Sequence, residues 1–121
     1  MKNLLLTSLL VLGMTQTAAA GGDPAKGGKV FKKCAACHAV EEGKRKVGPS
    51  MFGVWERQAG SIEGYKYSGA MSEAGFVWNE EHLSGFLSNP KKYLPGTRMS
   101  FPGVKKKEQL SDLLAYLKTL Q

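Results

Sequence analysis

The chain has 121 residues and carries 17 Lys and Arg against 10 Asp and Glu, a formal net charge of +7. That length holds one small domain, and with frequent Gly and few long apolar stretches the polypeptide alone looks short of core, which points to a cofactor or another staple. The bases cluster at Lys32-Lys33, Lys44-Arg45-Lys46, Lys91-Lys92, Arg98 and Lys105-Lys106-Lys107 without an aromatic–basic stripe; this argues against nucleic acid and for an acidic protein partner, provided the clusters converge.

Residues 1–20 read as a cleaved signal peptide. Lys2 supplies the positive start, Leu4 to Met14 a mostly apolar run, and Ala18-Ala19-Ala20 a small-residue cleavage site. The run is shorter than the roughly 20 residues that span a bilayer. The expectation is therefore a periplasmic protein whose domain occupies residues 21–121. Asp23-Pro24 opens a first helix, as N-cap and first helical residue, and delivers the chain to Cys34. From Val40 to Val77 the sequence is Gly-rich and aperiodic and reads as loops, with one short helix around Ser68 to Ala74 that stops at Gly75. Asn79 caps the next helix, whose apolar face is Leu83, Phe86 and Leu87, and Asn89-Pro90 ends it and starts a short turn through Tyr93. Residues 95–103 are bracketed by breakers and predict an extended loop. In the last helix Leu110, Leu113, Leu114, Leu117 and Leu120 recur at three and four residues. No strand pattern and no repeat stands out. The pattern predicts a small all-α domain with long loops.

Cys34-Ala35-Ala36-Cys37-His38 is a C-x-x-C-H motif, the pattern of covalent haem attachment. Two intervening residues let both thiols reach the haem vinyl groups while the adjacent imidazole meets the iron. A disulfide oxidoreductase would need a preceding strand. A zinc site would need four ligands, for which Cys34, Cys37, His38 and His82 are available, although His82 reads more simply as a surface residue of its helix. A second axial ligand must come from His82, Met51, Met71 or Met99. Met51 and Met71 read as core fillers, whereas Met99 sits in a loop framed by Pro95, Gly96, Pro102 and Gly103, which makes it the best candidate. The His38 ring N–H needs an acceptor, and the carbonyl of Pro49 is a candidate.

These stretches, with Gly48-Pro49, Asn89-Pro90-Lys91-Lys92-Tyr93 and Pro95-Gly96-Thr97-Arg98-Met99, resemble the class I cytochrome c family, close to its mitochondrial members and its short bacterial cytochromes c2. The resemblance runs through the whole of residues 22–121. It implies the small cytochrome c fold: about five short helices with long loops wrapped around one covalently bound haem c, the first and last helices crossing near Gly27 against Tyr116 and Leu113. It implies His38 and Met99 as axial iron ligands. It also implies that Arg57, Tyr67, Ser68, Trp78 and Thr97 hold the haem propionates or the hydrogen bonds around them. Two departures stand out: Phe86 where the family usually has Tyr, and Met71 where mitochondrial members have Asn. The interval from Phe31 to Cys34 is one residue shorter than in mitochondrial members, as in the bacterial branch.

With both axial positions filled the iron has no place for substrate, so the expected function is outer-sphere electron transfer rather than catalysis. Lys32, Lys33, Lys91, Lys92 and Lys106 are expected to steer acidic redox partners. By resemblance the donor is a cytochrome bc1-type complex, the acceptor cytochrome c oxidase or a photosynthetic reaction centre, and the carrier a monomer.

Overall fold

Four of the five α-helices start where a short polar side chain takes up free backbone N–H groups. In the computed structural model, which describes residues 21–121, helix α1 spans Pro24–Val30 and the Asp23 carboxylate accepts from the N–H groups of Ala25 and Lys26. A 3-10 turn, Phe31–Lys33, carries α1 into the cysteine motif. Helix α2, Gly69–Ser72, is capped by Ser68, and α3, Glu80–Ser88, by Asn79. Helix α4, Pro90–Tyr93, is capped by Asn89 with Pro at its first position. Helix α5, Lys107–Lys118, has no side-chain cap and draws its stability from packing. Among the described residues the only extended pairing is one antiparallel bridge, Gln58 with Val77. The signal-peptide expectation for residues 1–20 lies outside the described residues.

The principal packing is α1 against α5. Gly27 lies so close to α5 that a Cβ there would overlap the Asp112 carbonyl and come within 2.7 Å of the Tyr116 Cβ. Absence of a side chain lets the two backbones cross, and Phe31 packs on Tyr116 beside the crossing with ring centroids 5.4 Å apart. Nearest Gly27 stand the Asp112 backbone carbonyl and, as expected, Tyr116. Leu113 turns inward, 1 % exposed. Asp112 is itself buried, and its Oδ1 accepts the Asp23 N–H at 2.8 Å. That contact joins residues 89 apart in sequence and ties both ends of the domain together.

The core joins Phe31 and the inner face of α5 to Leu83, Phe86 and Leu87 of α3 and to Trp78 and Val104. Loop 50–78 closes on itself through backbone bonds: Ala59 N–H to the Phe76 carbonyl, 2.9 Å, and Trp78 N–H to the Arg57 carbonyl, 2.8 Å. Arg57 and Trp78 are thereby held side by side at the edge of the core. His82, expected as a plain surface residue, is half-buried instead: it stacks on Phe76 at 4.2 Å and hydrogen-bonds the Tyr93 hydroxyl at 2.6 Å.

Candidate functional site

The core does not close over its centre. A cavity of about 630 Å³ opens there, lined by residues from every part of the domain, including Cys34, Cys37, His38, Pro49, Arg57, Tyr67, Ser68, Trp78, Thr97 and Met99. Its inner wall is apolar, built from Val54, Leu83, Phe86, Leu87, Leu113 and Leu117. The volume and the apolar wall with a few polar groups suit a cofactor-sized ligand.

The 3-10 turn after α1 brings the cysteine motif to this cavity. Cys34 N–H donates to the Phe31 carbonyl at 2.7 Å and His38 N–H to the Cys34 carbonyl at 2.9 Å, so the motif is a continued helical turn. Both thiols are free, Cys34 half-buried and Cys37 exposed. Burial pushes the Cys34 thiol up, opposed by nearby Lys33. Lys46 spans the motif, its ammonium donating to the Ala35 carbonyl at 2.8 Å.

The His38 ring is fixed from two sides. Its Nδ1 lies 2.7 Å from the Pro49 carbonyl. A carbonyl can only accept, so Nδ1 carries the hydrogen and Nε2 keeps a free lone pair. Gly48 is buried against the ring face, with no room for a Cβ. Burial holds the imidazole below its ordinary pKa, the Pro49 bond opposing it and the Arg57 charge adding to it. The neutral imidazole is the form that binds a metal.

Met99 enters from the loop between α4 and Val104, where its N–H donates to Thr97 Oγ1 at 3.3 Å and Arg98 bonds the Lys66 carbonyl at 2.8 Å. Met51 and Met71 pack against the core as expected and also line the cavity, so lining alone does not separate the three thioethers; the loop sets Met99 apart. Phe86 is buried against Trp78, centroids 5.1 Å apart, and with Met71 presents carbon and sulfur to the cavity. Among the described residues no three of His, Cys, Asp and Glu gather as a metal cluster, and His82 is engaged with Tyr93, which leaves the zinc alternative without a fourth ligand.

The polar part of the lining suits anions. Arg57 Nη1 donates to the Ser50 and Phe52 carbonyls, 3.1 Å each, and no carboxylate of the described residues lines the cavity. Burial lowers the guanidinium pKa, with Tyr67 opposing. Three hydroxyl-bearing residues also line the cavity, Tyr67 near enough to act on Arg57. Tyr67 accepts from the Ile62 N–H (3.1 Å), Ser68 from the Met71 N–H (3.1 Å) and Thr97 from the Met99 N–H. Each is used as an acceptor, so its own hydrogen remains to be donated. A flat apolar group with a metal at its centre and carboxylates at one edge fits this cavity, and haem has that chemistry.

The outer rim is cationic, with Lys33, Arg45, Lys46, Lys66 and Arg98 around it and Val47 standing out, 78 % exposed. Of the five lysines expected at a docking face, Lys33 is on this rim. Lys32, Lys91 and Lys92 are exposed outside the lining, and Lys106 borders a separate small cleft between α1 and α5 with Lys26 and Lys29. Lys66 was missing from that set because it stands alone in sequence, between two tyrosines, with no cluster to flag it.

The cytochrome c family model matches residues 24–121. Cytochrome c of Gibberella zeae is 52 % identical over 101 residues, covering 82 % of this chain and 95 % of that protein. Cytochrome c-550 of Ancylobacter novellus is 54 % identical over 100 residues, covering 79 % and 94 %. Among solved structures, cytochrome cH from Methylobacterium extorquens superposes with a TM-score of 0.77 at 43 % identity, covering 81 % of this chain and 99 % of that one.

Proposed function

The chain belongs to the cytochrome c family, whose members carry a covalently attached haem c, and from that premise we propose that it is a one-electron carrier with the haem iron held between His38 and Met99. The observation that carries this reading is the His38–Pro49 bond, because it fixes the tautomer and leaves Nε2 as the only metal-binding nitrogen of the ring. Cys34 and Cys37 would form the two thioethers.

When bound, haem c supplies an iron that cycles between ferric and ferrous states. The chain's residues do the rest. With His38 and Met99 as its ligands the iron would have no open coordination position, which would disfavour substrate chemistry, and thioether ligation would raise the reduction potential. The apolar wall keeps water from the inner face. Arg57, Tyr67, Ser68 and Thr97 would hold the propionates, with Trp78 walling that side. The cationic rim would meet acidic redox proteins, giving fast, salt-sensitive and short-lived encounters.

Export to the periplasm belongs to the same reading, on the strength of residues 1–20, as does monomeric traffic between a cytochrome bc1-type complex and a terminal oxidase or photosynthetic reaction centre. No helix among the described residues is long and apolar enough to cross a membrane. A redox titration of the purified holoprotein followed by absorption tests the core of the proposal. The expected result is a reversible one-electron change, with a ferric thioether-to-iron charge-transfer band at neutral pH that Met99→Ala removes. A wild-type protein without that band would overturn His/Met ligation.

A further inference from the structure

We propose that His82 and Tyr93 form a latch that holds the root of the Met99 loop on α3 and so sets how readily Met99 yields its place on the iron. The inference rests on the His38/Met99 reading above.

The loop returns to α3 at both ends. At its C-terminal end the Val104 N–H donates to the Leu87 carbonyl at 2.8 Å, and Lys105 Nζ donates to the Ser88 carbonyl at 2.8 Å. Val104 is buried, so this root is fixed by the core. The other root is Tyr93, last residue of α4. A helix of four residues has little stability of its own. Its first residue, Pro90, is buried in the core, and its last is held to α3 by the Tyr93 side chain. The ring packs where Gly85 offers no Cβ, which would fall 2.6 Å from Cδ2, and the hydroxyl reaches His82 Nδ1 at 2.6 Å.

His82 is a firm anchor because it is itself held. Its ring lies on Phe76 with planes 11° apart, and Phe76 meets Trp78 edge-on at 4.8 Å. Trp78 is buried and lines the cavity. The hydrogen bond thus sits at the outer end of an aromatic column whose inner end is the cavity wall. Inside the loop Leu94 and Phe101 pack against the core, and the remaining hydrogen bonds are few: Thr97 N–H to the Leu94 carbonyl, Met99 N–H to Thr97 Oγ1, and Arg98 to the Lys66 carbonyl. A neutral thioether stays on its metal as long as the loop stays closed, and a competing ligand binds in proportion to the fraction of molecules with the loop open.

The test is a titration of the ferric holoprotein with imidazole, followed by loss of the thioether charge-transfer band. Tyr93→Phe and His82→Phe each delete the hydrogen bond, and the second keeps an aromatic ring on Phe76. Each is expected to tighten apparent imidazole binding about 2- to 10-fold, the range for one net hydrogen bond, with the double variant no tighter than the singles. His82→Asn, which keeps an acceptor near the Nδ1 position, is expected to return towards the wild-type value. Unchanged affinity in both single variants, or additive effects in the double, would overturn the latch while the band itself keeps His/Met ligation standing. A wild-type protein lacking the band would overturn the ligation reading instead.

Discussion

Gly48 lies directly against the imidazole of His38: a Cβ there would stand 2.7 Å from Nδ1 and 2.9 Å from Nε2. Neither side can give way cheaply, since the ring is held by the Pro49 carbonyl and the Gly48 N–H by the Cys37 carbonyl at 2.7 Å. Gly48→Ala is expected to destabilise the holoprotein by about 1–3 kcal/mol, the usual cost of overpacking. Guanidinium unfolding measures it. An unchanged midpoint would show that the ring is free to move.

At the helix crossing, Asp112 acts as an acceptor rather than as a charge. Asp112→Ala strands the Asp23 N–H, with an expected loss of about 1–3 kcal/mol. Asp112→Asn keeps a side-chain oxygen and is expected to lose less than half as much. Equal losses in the two variants would mean that charge, not acceptance, matters at this position. Thermal unfolding of the pair decides it.

Arg57 places a half-buried positive charge on the cavity wall, which disfavours the more positive ferric state. Arg57→Gln is therefore expected to lower the reduction potential by on the order of tens of millivolts. Uncompensated propionate charge would act in the same direction. A rise in the midpoint of the redox titration would contradict the assignment.

On the rim, Lys33→Glu and Lys66→Glu are each expected to slow association with an acidic redox partner about 2- to 10-fold at low salt. The difference should fade above roughly 0.5 M salt. Stopped-flow rates across ionic strength provide the check. Lys106→Glu, beside the α1–α5 cleft, reports in the same assay how far the docking face extends.

Local chemistry made much of this legible in the sequence. Asp23, Ser68, Asn79 and Asn89 cap helices within three residues of themselves, and the leucines of α5 keep step with one buried face. The cysteine motif is equally local. What stayed hidden depends on contacts between distant segments. Nothing near Asp112 in sequence announces the Asp23 N–H, and nothing near His82 announces Tyr93. Leu113 follows the apolar period of its helix into the core, whereas the Asp112 carbonyl that meets Gly27 leaves no mark in that period. The rim has the same origin: Lys33, Lys66 and Arg98 meet only once three separate segments surround one cavity.

The meeting of Asp23 with Asp112 also orders events in time. Contacts this far apart in sequence form late, because the intervening chain must first be gathered. Cys34, Cys37 and His38 therefore pass through an interval in which no finished fold limits access to them. Attachment of a bulky planar group would fit that interval, and the closing of the two terminal helices would then seal it in.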